Sequence, residues 1–261
     1  YQESRRCRKV LQHGASPPEV QVLRRATAFH HDERRVVCEG TMSTYIFHPD
    51  DLQRIVKMHL DAPLSERFDR IAETLQAVYG EHVHRQPEWI WSNAGGIMCS
   101  MNVLHTSPKE YLLFCGTAVG TEGHSGRHRA ELYDVVINGE LQTFKPDQFQ
   151  ANTLRPGDMA YLPRRTTNGS HLGQECWLLE YGRGNIPSLF PFALGDTIFS
   201  TQDLTDVRKT MAHSTKLMWS EAKIALRRRL RREAPAAPRL DLISDRARES
   251  AEYPKVAPDS N

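Results

Sequence analysis

The sequence lacks the features that mark several common classes of protein. No run approaches the roughly 20 consecutive apolar residues of a membrane-spanning helix. The formal net charge is only +2 at pH 7, so composition indicates no polyanionic partner such as nucleic acid. The five cysteines form no Cys-x-x-Cys pair, which is typical of free thiols in a reducing compartment. We expect Cys99, Cys115 and Cys176 to serve as small core hydrophobes.

Several signatures of catalysis are missing as well. The chain contains no Gly-x-Ser-x-Gly nucleophile elbow and no phosphate-binding loop. The glycine pair at 95–96 lacks the third glycine of a dinucleotide-binding fingerprint. With 261 residues, one folded domain with appendages is the natural expectation.

Changes in composition and hydrophobic periodicity along the chain predict five segments. Helical periodicity comes first, short aromatic and β-branched runs separated by turn residues follow, and a second helical pattern comes last. The two ends are basic, polar and rich in proline or charge, which is typical of disorder. The predicted segments are a disordered basic extension (1–41), N-terminal helices (42–88), a β-barrel (89–187), C-terminal amphipathic helices (188–230) and a disordered tail (231–261).

The middle segment predicts a mostly β fold. Its apolar runs are interrupted by Asn-Gly and Pro-Gly pairs, and Asn138-Gly139 is a strong hairpin signal. Strands with turns every 8–12 residues are typical of a sandwich or barrel. We therefore predict a cupin-like jelly-roll barrel flanked by helices.

The last helix carries an apolar stripe beside a basic face. Such a helix can lie on a membrane surface or can pack its stripe on the barrel, and the sequence leaves both open. The stripe consists of Leu204, Val207, Met211, Met218, Ala222 and Ala225.

A cupin-like barrel invites a search for metal ligands. His124 and His128 are four residues apart, Glu131 follows, and His171 is a candidate fourth ligand. The two histidines lie in or beside a glycine-rich turn rather than alternating along one strand. Fewer convincing ligands are present than a metal site needs, so we predict no metal and a structural role for His124, as a hydrogen-bond partner of the turn.

Carboxylates on apolar strands are the stronger signal. Asp134 lies within an apolar run, Glu180 ends another, and Glu110 opens the run before the glycine-rich turn. Burying a carboxylate is costly unless something uses it. If Asp134 and Glu180 share a dry interior, one keeps its proton while the other is an anion, which provides an acid and a base.

Five long motifs resemble the fungal C-8 sterol isomerases and the related sigma-1 receptors. The resemblance covers about residues 44–220 in one order throughout. The motifs occupy 89–98, 104–111, 116–126, 180–187 and 196–203.

The resemblance implies a cupin-like barrel around an apolar pocket. Asp134 and Glu180 match the polar centre, Tyr111 matches the tyrosine that supports the glutamate, and Glu110 matches a structural acid. The implied pocket residues are Met101, Leu113, Leu132, Phe190 and Phe192. It also implies a homotrimer whose helices rest on the endoplasmic reticulum membrane. Nothing here matches the family's N-terminal membrane helix, so we expect peripheral association or an anchor absent from this sequence.

The implied reaction moves a sterol double bond from C-8 to C-7. A proton adds at C-9, a cation forms at C-8 and a proton leaves C-7, without a metal or a redox cofactor. Cationic amines would imitate the cation and act as inhibitors. A sigma-like receptor that binds sterols or amines without turnover and a metal-dependent cupin enzyme remain the alternatives, since a shared fold does not fix function.

Overall fold

A computed structural model describes residues 45–85, 88–231 and 237–243 of the chain. The predicted extension at 1–41 lies outside the described residues. Within those ranges the molecule has four α-helices and ten β-strands. The predicted mostly β class with flanking helices is confirmed.

The strands form two antiparallel sheets. One has six strands in the order β1-β2-β3-β10-β5-β8, and the other has four in the order β4-β9-β6-β7. The strands are β1 (Ile90–Ala94), β2 (Ile97–Thr106), β3 (Glu110–Thr117), β4 (Thr121–His124), β5 (Ala130–Asn138), β6 (Leu141–Phe144), β7 (Asn152–Leu154), β8 (Met159–Leu162), β9 (Gly169–Leu172) and β10 (Cys176–Gly184). Gly139, at the β5–β6 hairpin predicted from Asn-Gly, has φ +74°, which favours glycine.

Two helices pair at the start of the described chain and two follow the barrel. They are α1 (Pro49–Lys57), α2 (Leu64–Tyr79), α3 (Phe190–Asp196) and α4 (Leu204–Arg231). The apolar residues that recur at helical spacing on α2, including Ile71 and Leu75, are buried. Short 3₁₀ turns lie at Gly80–His82 and Ile186–Leu189, and a π turn at Thr197–Thr201.

Alternation along the strands divides the apolar residues between two cores. On β3, Leu112 and Phe114 join the core beneath α1 and α2, whereas Leu113 and Cys115 face the space between the sheets. β10 divides in the same way, with Leu179 in the first core and Leu178 in the second. Successive strand residues point to opposite faces, so one strand supplies both cores.

The sequence leaves open whether the apolar stripe of α4 packs on the barrel, and in the structure only part of it, including Met218, does so. Leu204 and Met211 of that stripe are exposed. Four of the six buried side chains on α4 are polar; the six are Asp206, Thr210, Ser214, Leu217, Glu221 and Ile224. Polar partners on the barrel, described below for Glu221, stabilise this polar inner face.

The prediction of disorder over 231–261 is wrong at 237–243. Ile243 is buried in the core beneath α1 and α2, and the Arg239 backbone N–H donates to the Val78 carbonyl oxygen at 3.0 Å. Composition failed here because two adjacent apolar side chains among charged residues, Leu242 and Ile243, are enough to dock a short segment on this core. Residues 232–236 and 244–261 lie outside the described residues.

Candidate functional site

A cavity lies between the two sheets. The space open to the centre of a water molecule amounts to about 230 Å³. Most of the lining is apolar, and strands of both sheets contribute to it together with α3 and α4. The structure brings all five residues of the implied pocket to this lining: Met101, Leu113, Leu132, Phe190 and Phe192.

The two central carboxylates are direct neighbours in the six-stranded sheet. β10 pairs with β5 so that Glu180 lies opposite Asp134. Opposite residues of an antiparallel pair have Cβ atoms about 4.5–5.5 Å apart and point to the same face. Both line the cavity, so each remains partly accessible from within the barrel.

Two donors hold the Glu180 carboxylate. The Tyr111 hydroxyl donates to Oε1, and the Cys115 thiol donates to Oε2 at 3.4 Å. The Tyr111 ring lies over Gly182, where there is room for it only because glycine has no side chain. A Cβ added at Gly182 would be 2.1 Å from Tyr111 Cε1. Hydrogen bonds to a carboxylate are stronger than those between neutral groups, so these two donors fix the position of the Glu180 side chain. Burial and the neighbouring Glu180 raise the pKa of Tyr111 well above its usual range, so Tyr111 keeps the proton that it donates.

The surroundings of Asp134 disfavour its charged form. Its Oδ1 atom is buried and has no hydrogen-bond partner among the described residues. Burial, followed by the charge of Glu180, raises the pKa of the Asp134 carboxyl well above its usual range. Two adjacent carboxyls in a dry site cannot both ionise easily, and the surroundings of Asp134 favour its protonated form.

Glu110 lies away from the cavity lining. Its carboxylate accepts hydrogen bonds from the backbone N–H groups of Ile46 at 2.8 Å and Phe47 at 3.4 Å. The Tyr181 hydroxyl donates to it at 2.9 Å. Burial raises the pKa of Glu110 despite these donors. The contacts tie the segment before α1 to β3 and β10.

The two histidines of the glycine-rich turn do not converge on a metal position. The Gly126 N–H donates to Nδ1 of His124 at 3.0 Å, and Nε2 of His128 lies 2.7 Å from the Ser125 carbonyl oxygen. His171 lies beside exposed Glu122 instead. Within the described ranges, no group of three or more potential ligands is arranged to hold a metal ion.

The sequence did not place several polar residues of the lining. Cys99 and Cys115 belong to a hydrophobic core, as expected, but they also face the cavity, and so do Thr210 and Ser214 of α4. A signal was available for the cysteines, because each lies two positions along its strand from an apolar residue that faces the cavity. No sequence signal indicates that α4 lines the cavity, because the apolar stripe identified on α4 includes neither Thr210 nor Ser214.

The arrangement suits proton transfer to an apolar ligand. Asp134 provides a carboxyl whose raised pKa favours the protonated form, and Glu180 provides a hydrogen-bonded carboxylate. Mainly apolar walls surround both groups. A cation formed beside Glu180 would be stabilised far more strongly than in water, because the local dielectric is low.

Comparison with known proteins gives one family. The family described as "ERG2 and Sigma1 receptor like protein" matches residues 31–225. The C-8 sterol isomerase erg2 of Aspergillus fumigatus is 39% identical over 163 residues, which cover 61% of this chain and 68% of that protein. The sigma non-opioid intracellular receptor 1 of Taricha granulosa is also 39% identical, over 61% of this chain and 73% of its own.

Two solved structures resemble part of this chain. An RmlC-like cupin from Shewanella frigidimarina is 18% identical, covers 41% of this chain and 87% of its own, and gives a TM-score of 0.31. KdgF from Halomonas sp. is 15% identical, with 36% and 84% coverage and a TM-score of 0.31. In the part of the chain that the structure describes, no helix combines the length and apolarity needed to cross a bilayer.

Proposed function

The chain is a member of the ERG2 and sigma-1 receptor like family, and on that premise we propose that it is a sterol isomerase that moves a double bond from C-8 to C-7. The observation that carries the proposal is the pairing of Asp134 with Glu180 in one apolar cavity. A carbon–carbon double bond can be moved by one proton added and one removed. The reaction therefore needs an acid within reach of C-9 and a base within reach of C-7, the two ring carbons on either side of C-8.

In the proposed mechanism Asp134 is the acid. Its raised pKa keeps a proton available at neutral pH, and that proton adds to C-9 of the sterol. The positive charge then develops on C-8, beside the carboxylate of Glu180. The cavity excludes water, so the attraction between the carboxylate and the cation lowers the barrier.

Glu180 is the base in this mechanism. It removes a proton from C-7, and the two electrons of that C–H bond form the new double bond. The hydrogen bonds from Tyr111 and Cys115 hold the carboxylate in place while it waits for the cation. After the product leaves, Glu180 releases this proton to solvent and Asp134 takes up a proton from solvent, which restores the starting state.

The apolar residues have a positioning role. Met101, Leu113 and Leu132 come from the six-stranded sheet, while Phe190 and Phe192 come from the helical segment after it. Together they favour an elongated, apolar substrate with little capacity for hydrogen bonding, such as a sterol ring system. Holding that ring system in one orientation aligns C-7 and C-9 with the two carboxyls.

A non-catalytic receptor is the second candidate. It is favoured by the equal identity, 39%, of the Taricha granulosa sigma receptor and the Aspergillus fumigatus isomerase. In that role the ammonium of a cationic amphiphilic amine would pair with Glu180. The same amines would inhibit an isomerase, because an ammonium imitates the carbocation.

We place the protein at the endoplasmic reticulum membrane, as a homotrimer. Exposed apolar side chains on α4, including Leu204, Trp219 and Leu230, support contact with a membrane surface. We expect the protein to float with vesicles of endoplasmic reticulum lipids and its detergent-solubilised mass to be that of three chains. Recovery as a monomer that does not float would contradict this placement.

Complementation separates the two functions. Yeast that lacks its own C-8 isomerase is given the native chain, Glu180→Gln or Asp134→Asn, and its sterols are analysed. We expect the native chain to restore Δ7-sterols and each amide variant to lower conversion by at least roughly 100-fold, as loss of an acid or base does. Glu122→Gln, with a side chain that is 85% exposed, is the matched control and should restore conversion fully. A native chain that is expressed and binds amines but converts no sterol would favour the receptor.

A further inference from the structure

Two thiols lie inside the cavity beside the carboxylate pair. Cys99 is on β2 and Cys115 is on the neighbouring strand β3. Both are reduced, both are buried from bulk solvent, and both line the cavity. The mechanism proposed above uses only the hydrogen bond from Cys115, and it leaves the pairing of the two thiols unexplained.

The strand register brings these thiols together. Cys115 lies opposite Met101, and Cys99 is two residues before Met101 on the same face of β2. The two cysteines are therefore diagonal neighbours on one face of the sheet, about 7–8 Å apart or somewhat less at their Cβ atoms. The Cys99 thiol is close enough to act on Cys115 electrostatically, and Cys115 in turn donates to Glu180 Oε2 at 3.4 Å. The result is a continuous row of polar atoms that runs from Cys99 through Cys115 to Glu180.

We propose that Cys99 and Cys115 form a two-thiol modification site that takes reagents able to bridge both sulfurs, with monosubstituted trivalent arsenicals as the chemical class. This site goes beyond the proposed isomerase function and does not depend on it. The apolar walls favour a small aromatic arsenical, which can enter by the route open to other apolar ligands.

The chemistry of the site selects this class. The neighbouring Cys99 thiol, together with burial, raises the pKa of Cys115 well above its usual range. Reagents that attack a single thiolate are disfavoured as a result. An arsenical oxide reacts with the neutral pair instead. Two As–S bonds form, the arsenic–oxygen bond and two S–H bonds break, and the oxygen leaves as water with both thiol protons. Arsenic stays trivalent, so no oxidant or reductant is needed.

Bridging would also disable the carboxylate site. It removes the thiol proton that Cys115 donates to Glu180, and it fills the cavity next to that carboxylate with the substituent on arsenic. We therefore expect the modified chain to lose binding of any ligand that occupies the cavity.

Phenylarsine oxide and the full chain test the site directly. The starting protein carries Cys7→Ser and Cys38→Ser, so that the only thiols left are Cys99, Cys115 and Cys176. We expect intact mass to give one arsenical per chain and a thiol titration after denaturation to give one remaining free thiol. Either Cys99→Ala or Cys115→Ala should weaken binding roughly 100-fold, because the second sulfur then no longer acts at high effective concentration.

Cys176→Ala is the matched control. Cys176 is equally reduced and fully buried, yet it lies outside the cavity lining, so its variant should bind the arsenical as tightly as the starting protein does. Cys115→Ser provides a second variant that keeps a hydroxyl donor toward Glu180, and thermal unfolding verifies that each variant is folded. No adduct on the folded starting protein, or an adduct of unchanged affinity in folded Cys99→Ala and Cys115→Ser, would overturn the assignment.

Discussion

At the scale of single residues, the site depends on what each carboxyl touches. Glu180 accepts hydrogen bonds at both of its oxygens, whereas Asp134 has a buried oxygen without a partner in the described chain. Two carboxyl groups that lie directly opposite each other in the sheet thereby have different surroundings. The sequence alone predicts that the two acids differ, but the donors that distinguish them come from β3.

Removing the Tyr111 hydroxyl tests this distinction. Tyr111→Phe keeps the ring and deletes the donor to Oε1 of Glu180. A hydrogen bond to a charged group contributes about 1.5–3 kcal/mol, so we expect conversion of Δ8-sterol to fall roughly 10–100-fold with little change in thermal stability. Tyr161→Phe, on a ring that is half exposed, is the control. Equal rates for native protein and Tyr111→Phe would mean that this donor has no part in the chemistry.

Gly182 tests the position of the same ring. An alanine Cβ there would overlap Tyr111 Cε1, so Gly182→Ala must displace the tyrosine from Glu180. We expect a loss of activity similar to that of Tyr111→Phe, and little further loss when both changes are combined, because they remove one contact. Gly195→Ala meets no atom within 4 Å and should leave rates unchanged. Fully additive losses in the double variant would contradict a shared cause.

At the scale of elements, α4 is held to the barrel by polar contacts. Nδ1 of His82 lies 2.9 Å from Oε2 of Glu221, and His105 Nδ1 lies 2.8 Å from the His82 carbonyl oxygen. Thr210 and Ser214 of the same helix line the cavity, so the attachment of α4 and the shape of the cavity are linked. Apolar periodicity could not have predicted this, because the side of α4 that meets the barrel is mainly polar.

The cluster gives a pH dependence with a definite sign. Burial lowers the pKa of His105 to about 4, against 6.5 for an unperturbed histidine, and the charged or titratable groups near it are Glu221, His82 and His84. Between those two values the unfolded chain binds more protons than the folded chain. The free energy of unfolding therefore falls as the pH is lowered from 6.5 through 4, by up to about 3 kcal/mol from this residue.

Denaturant unfolding across that window provides the measurement. His105→Asn removes the titration and keeps a side-chain amide near the His82 carbonyl, so its stability curve should be flatter than the native curve between pH 6.5 and 4. Parallel curves for the two proteins would show that His105 does not titrate as the structure implies. The comparison subtracts the contributions of Asp134 and Glu110, which titrate in both proteins.

At the scale of the whole molecule, the sequence predicts the architecture better than it predicts the contents of the cavity. The strand texture and the Asn138-Gly139 hairpin predict a mostly β fold, which the two antiparallel sheets bear out. The meeting of Asp134 with Glu180 depends on the register of β5 and β10, which are separated by four other strands along the chain. No local pattern encodes such a pairing, and it was expected only from resemblance to a family.

Periodicity has a limit that also shows at the whole-molecule scale. The sequence leaves open which face of α4 meets the barrel, and in the structure Leu204 and Met211 are exposed while Ser214 and Glu221 are buried. In the charged tail, Leu242 and Ile243 pack on the core beneath α1 and α2, and two adjacent apolar side chains are too few to show a period. Periodicity measures which residues share a face, and it does not tell which face meets the barrel.

The most direct test of the central claim follows the proton itself. Purified protein in detergent is given a Δ8-sterol in D₂O, and the product is analysed for its double-bond position and for deuterium. The account predicts a Δ7-sterol with one deuterium at C-9 from the native chain, and no conversion above roughly 1% of that rate from Asp134→Asn or Glu180→Gln. Conversion at the native rate by both amide variants, or a bound sterol that the native chain leaves unconverted and unlabelled, would contradict it.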